Sequence, residues 1–382
     1  MKRWLCGIMA GILLLAGLPL QAKAAAPEVA AKGAVLMELS TGKVLAEQNA
    51  HAPLAPASVT KVMTMLLIME ALDSGKIGWE DTVTVSEAAA AKGGSQIFLK
   101  VGETMSVSHM LKAVAVSSAN DCACALAEHI CGSEEAFVEA MNQRAKELGM
   151  ENTHFVNCTG LDDEENAKEH LTSAYDIALM SRELLYKHPK IKEFTTIWMD
   201  TVRDGAFGLA NTNKMVRFYQ GCTGLKTGFT SAAGYCLSAS AQRDGMELVA
   251  VVLGCETSQE RFGACKQLLD YGFANVCVVE PELEQECRVP VTLGLQTDVV
   301  AVPGEDTKLL IDKGQKSSIT THVELDSEVA APVSKGQRLG TLTIKSGEQV
   351  LRQIPMVAQT EVLRMSFGNI FVELLKKLVG AK

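Results

Sequence analysis

From Gly33 two apolar runs in GAVLMELSTGKVLAEQN flank the polar tetrad at Ser40 to Lys43, which predicts a β-hairpin turning there. Beyond Pro53 and Pro56, apolar residues recur at helical spacing from Ser58 to about Leu72 and stop at DSGK. The same period predicts helices over Ser106–Val116, Asp121–Cys131, Glu134–Leu148 and Ser173–Leu185. The last opens on SAYD, a serine followed three residues later by an acid, the form of a capping box. Gly234–Ala241 and Met246–Leu253 read as strands joined by a hairpin turn at QRDG. Strands at both ends with helices between them imply an α+β fold, an antiparallel sheet packed against a helical cluster.

The pattern changes after about Asn275. VVEPELEQECRVPV brings Pro281 and a group of glutamates, and Val289 to Val357 reads as short strands broken by PGED, DKGQ, SKGQ and KSGE, a separate small β-rich domain. In MSFGNIFVELLKKLVGAK, Phe367, Ile370, Phe371, Leu374, Leu375, Leu378 and Val379 share one helical face, with Lys376 and Lys377 on its flank. Such a helix either packs on the β-rich domain or lies in a membrane interface, its lysines near lipid head groups; a short, cationic terminal helix in an acidic protein favours the interface. At the other end, MKRWLCGIMAGILLLAGLPLQAKAAAPE has two positive charges, an apolar stretch from Trp4 to Leu18, and small residues at Ala22, Ala24 and Ala26, the form of a secretory signal peptide. The expected division is 1–26 signal peptide, 27–275 main domain, 276–362 small β-rich domain and 363–382 amphipathic anchor helix. The expected location is the outer face of the cytoplasmic membrane or the cell wall.

Composition narrows the function. The chain of 382 residues is 47% hydrophobic and 21% charged, enough for two domains with a proper core. A formal net charge of -9 argues against a nucleic-acid partner, which needs a basic face to displace counterions. The eleven cysteines show no zinc spacing. Cys122, Cys124, His129 and Cys131 fall in the apolar helical run CACALAEHIC and read as small buried residues, so neither a metal nor a cofactor is expected.

Three short patterns carry candidate chemistry. Ser58 and Lys61 form SxxK; Ser118 and Asn120 form SxN in VSSANDC; Lys226, Thr227 and Gly228 form KTG in GLKTGFT. Each has a bland alternative: SxxK recurs at Ser40 and Lys43 in the predicted turn, SxN often caps a helix, and KTG often makes a turn. Together and in this order they are coherent. A serine hydroxyl is a poor nucleophile until a base takes its proton, and residues three apart on a helix share a face, so Lys61 can reach back to Ser58. Lysine is a base only when neutral, and a desolvated cleft and a second cation, Lys226, would both lower its pKa. Ser58 at a helix start also has backbone N–H groups and the helix dipole available for developing negative charge.

SxxK, SDN-type and KTG motifs together mark penicillin-binding proteins and class A β-lactamases. This sequence resembles, more specifically, the low-molecular-mass D-alanyl-D-alanine carboxypeptidases. ASVTKVMT, GSQIFLKVGE, VSSANDC, LGMENTHFVNCTGLD, HLTSAYDIA and GLKTGFTSAAGYCLSASA carry the resemblance, together with the tail. It implies that Ser58 attacks the carbonyl of the penultimate D-alanine of a peptidoglycan stem peptide, leaving an acyl-enzyme that water hydrolyses, and that β-lactam antibiotics acylate the same serine. Lys61 would be the base and Ser118 a proton relay. Asn120 would hold the peptide amide, and Lys226 and Thr227 the terminal carboxylate. The backbone N–H groups of Ser58 and Phe229 would form the oxyanion hole, and Arg261 matches a family arginine near the carboxylate. Ala119 stands where the family usually has glycine, and Phe229 where some members have histidine. His170 and Asp176 match a family stretch, Asp176 reading as a helix-start residue. A D,D-endopeptidase or transpeptidase, a serine β-lactamase and a non-catalytic cell-wall binding protein remain alternatives. DDEENAKEH lacks the ExxLN pattern of the β-lactamases, and the serine and both lysines are all present.

Overall fold

A computed structural model describes residues 25–162, 166–283 and 285–372. The first hairpin forms as β1 (Gly33–Glu38) and β2 (Val44–Gln48). Its turn is closed by the Glu38 carboxylate, to which the Ser40 hydroxyl donates at 2.7 Å, so the second SxxK match is a turn with its serine already engaged. A 3-10 turn over Ala57–Thr60 leads into α1 (Lys61–Asp73), which places Ser58 in the helix's tighter entrance. Next come α2 (Val107–Ser117), α3 (Asn120–Cys131), α4 (Glu134–Glu147) and α5 (Ala174–Lys187), each within two residues of its expected bounds. Ser173 caps α5 by accepting from Asp176 N at 3.1 Å. The Asp176 carboxylate instead accepts from Asn152 N and Thr153 Oγ1, so only half of the expected capping box is made.

The expected strand pair forms as β4 (Gly234–Arg243) and β5 (Met246–Cys255), preceded by β3 (Cys222–Thr230). The β4–β5 turn contracts to Asp244 and Gly245, both at positive φ, the two-residue turn whose twist matches a hairpin. β3 was not expected, and Lys226, Thr227 and Gly228 lie inside it. A second unexpected element is α6 (Ser258–Asn275), with a complete capping box between Thr257 and Glu260. Its Gly272 sits where a Cβ would come within 2.5 Å of Leu248 Cδ1, so this glycine lets the helix lie close on the sheet.

The sheet is antiparallel in the order β2-β1-β5-β4-β3. β5 is apolar at almost every position because both of its faces are covered. Val249, Val251 and Leu253 join the core beneath α1 to α5, while Leu248, Ala250 and Val252 join the core beneath α6. β3 is left as the edge strand, and this edge borders the 3-10 turn of Ser58.

β6 (Val276–Val279) pairs with a later strand, and Val276 is buried in the core beneath α6, so the chain stays attached to the main body past residue 275. The β-rich part contains β7 (Cys287–Thr292), β8 (Asp298–Pro303), β9 (Leu309–Asp312, the partner of β6), β10 (Ile319–Leu325), β11 (Val329–Ala330), β12 (Arg338–Ser346) and β13 (Gln349–Ala358). Six of these form a sheet in the order β10-β12-β13-β8-β7-β11, with its own core around Val289, Leu342, Ile354 and Val362. Residues 367–372 are helical and start from Ser366, whose hydroxyl accepts from Asn369 N at 3.3 Å. The rest of the expected anchor, and the expected signal segment up to residue 24, lie outside the described residues. No described helix is long and apolar enough to cross a membrane.

Candidate active site

Ser58 stands on a turn held in a conformation its residues do not choose. Ala57 has φ 49°, in the left-handed region that non-glycine residues occupy at a cost of about 1–3 kcal/mol. Two contacts hold it there. Thr60 Oγ1 donates to Ala57 O at 2.8 Å, and Gly160 lies so close that a Cβ would fall 1.9 Å from that same oxygen. His170 completes the support. Val156 N donates to its Nδ1 at 3.2 Å, so the ring proton is on Nε2, which donates to Thr60 Oγ1 at 2.8 Å. Burial pushes His170 down to about 4, keeping it neutral in this chain of donors.

Lys61 opens α1 with its side chain fully buried and its Nζ 3.0 Å from Ser58 Oγ. A second bond, 2.7 Å to Thr159 O, aims the amine. That carbonyl is positioned by Asn157, whose Oδ1 accepts from Gly160 N at 2.7 Å and Thr159 N at 3.2 Å, an Asx turn. Burial lowers Lys61 to about 7, against the opposing pull of Cys158 and Asp121. Neutral Lys61 then has one lone pair, directed at the Ser58 hydroxyl proton, while an N–H stays on Thr159 O. Lys226 is also buried, with Nζ donating to Thr227 O at 2.8 Å. Its pKa is lowered by its own burial first, then by Lys61 and Arg261. Of the two expected causes, burial is the one that lowers Lys61, and the repulsion between the two lysines falls on Lys226.

Ser118 lies between α2 and α3 at φ 63°, also left-handed, and is 3% exposed. Among the described residues its Oγ has no hydrogen-bond partner, and neither has Asn120 Oδ1. Buried polar atoms are seldom left in this state. Asn120 is otherwise fixed: its Nδ2 donates to Gly93 O at 2.7 Å and its backbone N to Ser95 O at 2.7 Å. The free oxygen is an acceptor suited to a peptide N–H. Ala119, buried and at φ -58°, meets no conflict in place of glycine.

The KTG strand closes the site from the sheet side. Thr227 Oγ1 bonds Thr212 Oγ1 at 2.7 Å. Gly228 is needed for packing, since a Cβ there would come within 2.6 Å of Pro56 O in the nucleophile turn. Phe229 is 52% exposed and packs on Tyr235 with the two rings tilted. Arg261 donates through Nη1 to Gly228 O at 2.9 Å, so its visible role is to hold β3 from behind, while its Nε is buried without a partner among the described residues. Thus Lys61 meets Ser58, Gly228 of the KTG strand packs against Pro56 and Val59 of the nucleophile turn, and Lys61 lies close enough to Asp121 and Lys226 for their charges to interact. Sequence reasoning missed Thr159, Asn157, Gly160, Thr212 and Thr60. The N-x-T-G stretch signals a turn at 157–160, but nothing local signals that its carbonyl meets Lys61. Cys122 and Cys124 are buried as expected, whereas Cys131 is half-buried and His129 is exposed.

Residues 20–257 match the family described as D-alanyl-D-alanine carboxypeptidase, and residues 285–364 match the penicillin-binding protein 5 C-terminal domain. The chain is 43% identical to the D-alanyl-D-alanine carboxypeptidase DacF of Bacillus subtilis, across 100% of this chain and 98% of that protein. Penicillin-binding protein 5 of Haemophilus influenzae superposes with a TM-score of 0.74 at 32% identity, covering 88% of this chain and 99% of that one. Penicillin-binding protein D2 of Listeria monocytogenes, in its ampicillin-bound form, gives a TM-score of 0.59 at 33% identity over 65% of this chain and 100% of that one.

Proposed function

The chain belongs to the D-alanyl-D-alanine carboxypeptidase family, a family of serine peptidases, and on that premise we propose how its residues divide the work. Lys61 takes the Ser58 proton as Oγ attacks the penultimate D-alanine carbonyl of a stem peptide ending in D-Ala-D-Ala. The carbonyl oxygen collects the negative charge between the backbone N–H groups of Ser58 and Phe229. Collapse breaks the peptide bond, with Ser118 passing a proton to the leaving D-alanine nitrogen. Water then releases the shortened peptide from Ser58. Asn120 accepts from the substrate amide N–H, and Lys226 and Thr227 take the terminal carboxylate, with Gly228 and Arg261 fixing that strand. The observation carrying this reading is the buried Lys61 amine, 3.0 Å from Ser58 Oγ and lowered to about 7.

Penicillin enters the same reaction as an acylating agent, in keeping with the similarity to a protein with bound ampicillin. Ser58→Ala removes both D-alanine release and covalent labelling by fluorescent penicillin; labelling that persists would place the nucleophile elsewhere. Muropeptides ending in D-Ala-D-Ala lose one alanine by mass spectrometry, whereas cut cross-links would mean endopeptidase action.

The remaining assignments belong to the same proposal. Residues 1–26 are removed on export, 27–275 carry catalysis, 276–362 form the β-rich unit, and 363–382 rest on the outer face of the membrane. Supporting the last, Leu363, Phe367, Phe371 and Val372 are exposed apolar residues at the start of the tail. Deleting residues 365–382 frees the protein from membranes with activity on soluble peptide intact; continued membrane binding would exclude the helix as anchor.

A further inference from the structure

Two thiols lie directly behind the catalytic lysine and take no part in the reaction above. Cys124 projects from α3, and Cys158 immediately precedes Thr159, whose carbonyl receives Lys61. Both are fully buried, and they converge on one carboxylate. Cys158 Sγ donates to Glu134 Oε1 at 3.2 Å and Cys124 Sγ to Glu134 Oε2 at 3.5 Å. The neighbouring Cys124 thiol, together with burial, pushes the Cys158 thiol well up. Lys92 holds the same carboxylate at 2.6 Å. An ammonium in that place competes with a metal ion, and the described residues contain no metal-binding cluster. A reaction needing only the two thiols fits the pocket better.

We propose that Cys124 and Cys158 form an intramolecular disulfide that ties α3 to the loop presenting the Lys61 acceptor. A disulfide needs its sulfurs about 2.05 Å apart. The two sulfurs sit on the two oxygens of one carboxylate, which makes them close neighbours in the fold. The oxidant is a small disulfide, R–S–S–R. One cysteine, as thiolate, attacks it to give a mixed disulfide and RS⁻. The second cysteine then attacks the protein sulfur of that mixed disulfide and releases the second RS⁻. The two cysteine protons end on the two RSH molecules; the protein loses two electrons and the small disulfide gains them. Because both thiols are sealed in the folded chain, the exchange occurs while the 157–161 loop is still open during folding. The bond then joins two segments of the site, the helix that begins at Asn120 and the loop that aims Thr159 O. It anchors the latter one residue from the Lys61 contact.

The test refolds the full chain from its reduced, denatured state in a glutathione redox buffer and, in parallel, in dithiothreitol. Remaining thiols are then alkylated and peptides read by mass spectrometry. The expected result is a linked Cys124–Cys158 peptide in the glutathione sample only. That sample also melts at a higher temperature, a shift that Cys124→Ala and Cys158→Ala each abolish and Cys131→Ala leaves in place. Alkylation of both cysteines in both samples, or linkage of either one to another cysteine, overturns the proposal.

Discussion

Acylation of Ser58 should follow the titration of one buried amine, and its pH dependence gives the sharpest test of the mechanism. A lysine at about 7 is about half neutral at pH 7, whereas one at its ordinary 10.5 is neutral in about one molecule in 3,000. Burial therefore raises the fraction of competent base about 1,500-fold at neutral pH. The second-order rate of labelling by fluorescent penicillin, measured from pH 5 to 9, should fall about tenfold per unit below pH 7 and level off above it. Lys61→Arg, permanently charged, should not be labelled. The folded pKa is depressed, so between about 7 and 10.5 the unfolded chain binds the extra proton and stability rises with pH. The cost, about 5 kcal/mol, is fully present below pH 7 and relieved by about 10.5. Lys61→Met, similar in length and uncharged, should thus gain melting temperature relative to the native chain at pH 6 and lose that advantage by pH 10. A labelling rate that is flat from pH 5.5 to 9, or still climbing tenfold per unit at pH 9, would refute the assignment of Lys61 as a base lowered by burial.

Three further outcomes follow from the geometry. Gly160→Ala drives a Cβ to 1.9 Å from Ala57 O at a backbone φ of 80°, so it should cost more than about 3 kcal/mol in urea unfolding and abolish penicillin labelling. Ser118→Gly removes an unpartnered buried hydroxyl and relieves a left-handed φ, so D-alanine release should collapse while the melting temperature rises; a fall in melting temperature would contradict this account. For His170, lowered to about 4, the unfolded state binds the extra proton between about 4 and 6.5, so about 3 kcal/mol of stability disappears as pH falls through that window. Replacing His170 with Asn should flatten this acid limb in denaturation curves recorded from pH 4 to 7.

Much of the helical framework was visible in the chain because its cues are local. Periodicity located α2 to α5 within two residues and α1 within three, and the Asp244–Gly245 turn carries its own conformational signature. α6 and β3 were hidden for different reasons. The apolar face of α6 is interrupted by Gly272, a glycine that is there for a contact with Leu248 on the sheet. β3 carries Lys226 and Thr227 at buried positions, a polar content that reads locally as a turn and makes sense only beside α1 and the Ser58 turn.

The sequence by itself determined which residue types are available to the reaction and their order along the chain: Ser58 with Lys61, Ser118 with Asn120, and Lys226 with Thr227. Spacing even placed the first pair, because a separation of three on a helical turn is a local distance. Tertiary structure alone decided what surrounds them. Lys61 is lowered because α1 is buried on every side, the Thr159 carbonyl reaches it from 98 residues away, and Gly160 and His170 hold the Ser58 turn from the same distant loop. Desolvation and close approach depend on which segments meet, and no local pattern of residues encodes that meeting.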